Sequence, residues 1–170
     1  MLLSPPLLTY TRGDVQAASS VLMASALDRV ERGEELWPPA SLTPDRLGRY
    51  YPEHGWHVAW QSDRPVGCYV LLEDDPLFWP EAPAGEALYL HKLAVHPEVQ
   101  GQGLAQTLLQ HAAQQAALRG RPHLRLDTAT QRPRLRAVYE TFGFRHVADR
   151  VVKSWAVSLY DLTVQTGSAG

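Results

Sequence analysis

The strongest constraint on how this chain can fold lies at its middle. An apolar strand pattern, Leu88 to Val95, is joined by the short segment 96–103 to a clear helical one. In the stretch Leu104 to Arg119, residues Leu104, Ala105, Leu108, Leu109, Ala112 and Ala116 fall on one helical face, while Gln106, Gln110, Gln114 and Arg119 lie elsewhere around it. Gly120 is a natural stop. A strand pattern resumes at His123 to Asp127. Strand, helix and strand in such close succession imply a crossover between parallel strands, with the helix against one face of the sheet. The chain is therefore α/β.

The remainder reads as shorter elements around that unit. Leu7 to Thr11 is expected as a strand, followed by a helix that starts at Asp14 as N-cap and carries Val15, Ala18, Leu22, Ala26 and Val30 near helical spacing. Thr43-Pro44-Asp45 predicts a second, short helix between Ser41 and Tyr51. Strands at His57 to Gln61 and Val66 to Glu73 are joined by Ser62-Asp63-Arg64-Pro65 as a hairpin turn. Pro76, Pro80, Pro83 and Gly85 make 74–86 a loop. A helix from Pro133 to Phe142 ends at Gly143, and strands follow near Arg145 to Arg150 and Ser154 to Leu162. No repeat or linker divides the chain, so residues 1–170 are expected as a single domain, with 163–170 as a loose tail.

Bulk properties narrow the function. At 170 residues the chain can bury a sizeable core. A net charge of −2 offers no electrostatic grip on nucleic acid or on an acidic membrane. Cys68 is the only cysteine, which excludes an internal disulfide and a cysteine metal cluster, and its apolar surroundings Val66-Gly67-Cys68-Tyr69-Val70 suit a small buried hydrophobe. The apolar start Met1 to Leu8 lacks a basic flank and contains Pro5 and Pro6, so no secretory signal is expected and the protein reads as cytoplasmic. No stretch approaches membrane-spanning length.

The joint itself, Gln100-Gly101-Gln102-Gly103-Leu104-Ala105, has the chemistry of an anion site. First-turn amides of a helix lack internal partners and carry roughly half a positive charge between them. Glycines let a phosphate come close to that backbone. Two glycines alone serve a tight turn equally well. The dinucleotide fingerprint fails, because Gln106 occupies its third glycine position and the loop lies several residues beyond the strand. The P-loop fails too, because no Lys-Ser/Thr pair follows Gly103.

With its flanks, the segment resembles the coenzyme A loop of the GNAT superfamily of N-acetyltransferases, whose pattern is Gln/Arg-x-x-Gly-x-Gly/Ala. Gln100, Gly103 and Ala105 fit, Leu93-Ala94-Val95-His96-Pro97 matches the strand-end signature, and Leu126-Asp127, Tyr139-Glu140 and Gly143-Phe144 follow in the family's order. The resemblance covers about Leu88 to Val147 and is architectural before that. It implies a mixed, mostly antiparallel sheet of six to seven strands, with splayed fourth and fifth strands and about four helices. It implies acetyl-CoA as co-substrate, its pantetheine arm on backbone groups of Leu93, Ala94 and Val95 and its pyrophosphate on Gln100, Gly101, Gln102, Gly103, Leu104 and Ala105. The implied reaction is direct transfer of the acyl group to a primary amine of a small molecule or peptide. Tyr139 matches the family's general acid.

The base is less defined. The family's usual strand glutamate is matched by Tyr89, whereas alternation places Tyr89, His91 and Leu93 on one face and makes His91 the better base by type. Glu86, or desolvation with water, are alternatives. Arg132 stands where the family often has an asparagine for the pantetheine arm; it cannot accept a hydrogen bond but could reach a phosphate. Glu34-Glu35, Trp37 and Trp79 could line an acceptor site or simply cover the surface. His54 and His57 lack further ligands, so no metal is expected. Arg132, Arg134 and Arg136 read as a solvated face or a phosphate contact rather than a nucleic-acid surface. Monomer and homodimer both stay open. A catalytically silent acyl-CoA sensor is the alternative function; a nucleotide-binding oxidoreductase is disfavoured by the loop.

Overall fold

The computed structural model describes residues 7–165. β1 (Thr9–Arg12) leads into α1 (Val15–Glu31), which opens where Asp14 accepts the Ala17 amide at 2.9 Å. α2 (Pro44–Tyr50) starts with Thr43 accepting the Arg46 amide and with Pro44 in the first turn, where no amide is needed. β2 (Trp56–Gln61) and β3 (Arg64–Leu72) form an antiparallel hairpin. Its turn is tighter than the sequence suggests. Ser62 adopts φ 57, Arg64 already pairs with Gln61, and Pro65 faces Trp60 beside a register shift, where a missing amide is tolerated.

β4 (Ala87–Val95), α3 (Leu104–Leu118) and β5 (His123–Ala129) form the crossover, and β4 and β5 are parallel. α4 (Pro133–Phe142), β6 (Arg145–Val152) and β7 (Trp155–Thr163) follow. The seven strands lie in the order β1-β2-β3-β4-β5-β7-β6. β7 is antiparallel to both β5 and β6. Thr163, placed in the tail by the sequence, still pairs with His123; residues 166–170 lie outside the described residues. Among the described residues no helix is long and apolar enough to cross a membrane.

The residues group into two compact units. The first runs to Val70 and includes Lys92–Leu108. Its core packs Ala18, Val21, Leu22 and Ala26 of α1 with Leu42, Leu47, Trp56, Val58, Cys68, Val70 and Ala94. Each fully buried valine or leucine side chain there contributes about 1.5–3 kcal/mol. A Cβ on Gly67 would lie 2.8 Å from Leu108 Cδ1, so a side chain there would push the Leu108 methyl groups aside. The second unit comprises Leu71–His91 and the chain from Leu109. It buries Leu88, Leu90, Leu124 and Leu126 from the strands and Leu109, Ala112 and Ala116 from α3. β5 alternates strictly: Leu124, Leu126 and Thr128 are buried, and His123, Arg125 and Asp127 take the other face.

Candidate functional site

In the first unit, the joint between β4 and α3 is built by glycine conformation. The His96 amide donates to the Val66 carbonyl at 2.8 Å, and Pro97–Val99 make one tight helical turn. Gln100 is extended, and Gly101 and Gly103 take φ +80 and +76, a region L side chains rarely enter. A Cβ on either glycine would meet nothing within 4 Å. Neither glycine is therefore required by packing; the backbone turn requires both, and it leaves open space before the helix start. Residues 100–103 are exposed, whereas Leu104 is buried and anchors the first turn of α3. Thr107 closes that turn on the Gly103 carbonyl through both its amide and its hydroxyl, each at 3.2 Å.

The flanking groups are also defined. Arg64 pairs with Glu98, and burial, then the Arg64 charge, hold the His96 imidazole below its usual pKa. Leu93 and Val95 are half-buried and Ala94 is in the core, so backbone is what Ala94 can offer a ligand. Alternation along β4 is interrupted at Lys92, which adopts φ 55; the expectation that Leu93 shares the face of Tyr89 and His91 does not carry through that residue. Trp37 lies under the Lys92 ammonium, 4.6 Å from the ring centre. His57 is stacked on Tyr69 with Nδ1 3.0 Å from the Gly55 carbonyl, a structural histidine.

In the second unit, the β4–β5 ladder runs from Ala87↔His123 to Leu90↔Leu126 and goes no further, although both strands continue. The first residues beyond the last pair are His91 and Asp127. His91 Nε2 lies 2.8 Å from Asp75 Oδ2, and His91 Nδ1 lies 3.9 Å from Asp127 Oδ1. All three side chains are largely buried, at 14 %, 7 % and 13 % exposure for His91, Asp75 and Asp127. Phe78 sits beside the imidazole, and Trp155 sits beside Phe78. Asp75 is brought there by the 74–86 loop, which turns back through a Trp79 amide bond to the Asp75 carbonyl at 2.8 Å. Nothing in the sequence marks Asp75, and Asp127 stands out in it only as part of the Leu126-Asp127 pair. Among the described residues these three also form a cluster whose potential metal-ligating atoms lie within 4.8 Å of one another, and neither His54 nor His57 belongs to it.

Two residues back along the same strand faces is a second polar group. Arg125 donates to Asp161 and to Glu86, each at 2.9 Å, and lies 5.0 Å from the Trp79 ring centre. Glu86, an alternative base by its place at the start of β4, is an ion-pair partner of Arg125. Trp79, Pro83, Glu86, Arg125 and Arg150 line an open depression of about 230 Å³.

Tyr139 projects from α4 with its ring edge-on to Phe144 and 6.3 Å from Tyr160. Arg132 caps α4, its amide donating to the Ala129 carbonyl at 3.1 Å. Arg136 does not join a solvated basic face: its Nε donates to the buried Tyr160 hydroxyl, which in turn donates to Glu140 at 2.6 Å. Burial, followed by the Glu140 bond, raises the Tyr160 pKa.

The family described as "Acetyltransferase (GNAT) family" matches residues 23–144. Two uncharacterized N-acetyltransferases of Bacillus subtilis (strain 168) are similar: YsnE, 33% identical over 64% of this chain and 68% of its own, and YesJ, 29% identical over 77% and 76%. Among solved structures, a GNAT-family acetyltransferase from Listeria monocytogenes superposes with a TM-score of 0.72 at 16% identity, covering 93% of this chain and 94% of that one. YncA of Salmonella typhimurium, solved with its cofactor acetyl-CoA, gives a TM-score of 0.64 at 17% identity over 95% and 96%.

Proposed function

Because this chain belongs to the GNAT acetyltransferase family, we propose that it transfers an acetyl group from acetyl-CoA directly to a primary amine of a small molecule or peptide. The observation that carries the reading is the Gln100–Ala105 joint, exposed over residues 100–103, where two left-handed glycines leave the start of α3 open. Amides of Gly101 to Ala105 bind the pyrophosphate. Backbone groups of Leu93 to Val95 pair with the pantetheine arm, and Arg132 reaches a phosphate. That a neighbour of the same fold was solved with acetyl-CoA supports the choice of cofactor.

The chemistry has two proton problems. An alkyl ammonium of pKa about 10.4 costs about 4.6 kcal/mol to deprotonate at pH 7, and a base within reach lowers that cost. His91 takes that role, with its partners Asp75 and Asp127 in support. The departing thiolate needs a proton, and Tyr139 supplies it.

The test is thiol release from acetyl-CoA across a panel of primary amines, paired with calorimetric binding of acetyl-CoA. Tyr139→Phe should keep binding and lose roughly a hundredfold or more in kcat, the scale of general-acid assistance. Binding without thiol release from any acceptor would replace the enzyme reading with an acyl-CoA sensor.

A further inference from the structure

We propose that Asp75, His91 and Asp127 act as one acceptor-activating unit: Asp127 docks the amine as its ammonium, His91 Nδ1 removes the proton, and Asp75 fixes the His91 tautomer that makes this possible. The inference rests on the acetyltransferase reading above and assigns the acceptor end of that site.

The tautomer follows from one contact. An ionised carboxylate can only accept a hydrogen bond, so the 2.8 Å contact between Asp75 Oδ2 and His91 Nε2 places the ring proton on Nε2. The lone pair of the neutral ring then sits on Nδ1, which points toward Asp127. Asp75 touches neither reactant; it is a positioning residue.

The second contact shows where the amine goes. At 3.9 Å, Nδ1 and Asp127 Oδ1 are too far apart to be bonded to each other. A nitrogen about 2.8 Å from both subtends roughly 90° between them, so two of an ammonium's three N–H bonds reach both acceptors with little bending. The place suits the reaction as well. His91 and Asp127 are the first residues past the last β4–β5 pair, Leu90↔Leu126. Their side chains are 14 % and 13 % exposed, where water screens a carboxylate–ammonium attraction much less than at the surface.

The step balances. One ammonium proton passes to Nδ1, and the freed nitrogen lone pair attacks the thioester carbonyl carbon. The C–N bond forms and the C–S bond breaks, with Tyr139 protonating the sulfur. The second nitrogen proton restores the Tyr139 phenol as the tetrahedral intermediate collapses. The imidazolium then releases its proton to water.

The tautomer is read directly by ¹⁵N NMR of the full chain with labelled histidine, His91 being assigned by its loss in His91→Gln and followed over pH until the neutral ring is seen. We expect protonated Nε2 and bare Nδ1 in the wild type, loss of that preference in Asp75→Asn and its partial return in Asp75→Glu. Titration with methylammonium should perturb Nδ1 in the wild type and leave it unmoved in Asp127→Asn. With the acceptor the amine panel identifies, Asp127→Asn should raise the acceptor KM roughly ten- to a hundredfold with the acetyl-CoA KM unchanged. Asp75→Asn should lower kcat roughly ten- to a hundredfold with both KM values held. A proton on Nδ1 in the wild type, an unchanged acceptor KM in Asp127→Asn, or a stoichiometric metal ion on these residues would overturn the proposal. If no amine releases thiol, the acetyltransferase reading fails, and the two NMR measurements still decide the tautomer and the docking.

Discussion

Arg125 stands on the polar face of β5, its Nε on Asp161 and its Nη1 on Glu86, with the Trp79 ring against the guanidinium. Burial alone would lower its pKa; hydrogen bonds to Tyr89, Asp161 and Glu86 outweigh that and raise it. Asp161 is 6 % exposed and lies 2.9 Å from Arg125 Nε and 3.1 Å from His123 Nδ1. Arg125→Met strands a largely buried carboxylate, and should cost about 3 kcal/mol. Arg125→Lys should recover only part, because an ammonium lacks the fork that reaches both acids. Urea denaturation at constant m-value measures both, and a loss below about 0.5 kcal/mol for Arg125→Met would mean that the network is not holding this face. Such partners are hard to read from sequence. Glu86, Arg125 and Asp161 come from three separate segments, and Asp75 lies in a loop with no periodicity to direct it anywhere. His91 itself stands in a strand whose apolar run, Leu88 to Val95, is plain in the sequence.

At the scale of elements, the β4–α3 joint separates what the turn needs from what a ligand needs. Gly103 has φ +76 and open space where a Cβ would sit, so Gly103→Ala pays only for its backbone conformation, about 1–2 kcal/mol. Asparagine tolerates that region far better. Gly103→Asn should therefore keep stability near the wild type while its side chain intrudes on the phosphate, raising the acetyl-CoA KM tenfold or more. If Gly103→Asn left the KM unchanged, the glycine would serve the turn alone. Elements punctuated by proline, glycine or a capping aspartate were well marked in the sequence: α4 spans Pro133–Phe142 as its flanks predict, and α1 opens on Asp14. What the pattern could not carry was local backbone geometry. The left-handed Lys92 breaks the alternation of β4, and Arg136 turns inward to Tyr160 from what reads as a basic surface run.

For the molecule as a whole, Cys68 offers a probe of how cofactor binding couples to folding. It is fully buried in the first unit, its Sγ 3.8 Å from the carbonyls of Ala18 and Lys92, and burial raises its thiol pKa. A thiol reagent should therefore react only when that unit opens, at a rate set by the open population. The Gln100–Ala105 loop belongs to the same unit. If opening that exposes Cys68 also dismantles the loop, acetyl-CoA at a hundred times its Kd stabilises the closed state by about 2.7 kcal/mol and slows labelling roughly a hundredfold. Labelling that ignores bound acetyl-CoA would show instead that Cys68 is exposed by an opening that leaves the cofactor site intact. The same thiol fixes a pH trend. Its raised folded pKa means the native state holds the proton after the unfolded chain has begun to lose it, above about pH 8.5. The stabilisation is complete below that pH and declines as pH rises further, so Cys68→Ala should flatten the alkaline side of the stability profile measured by denaturant titration.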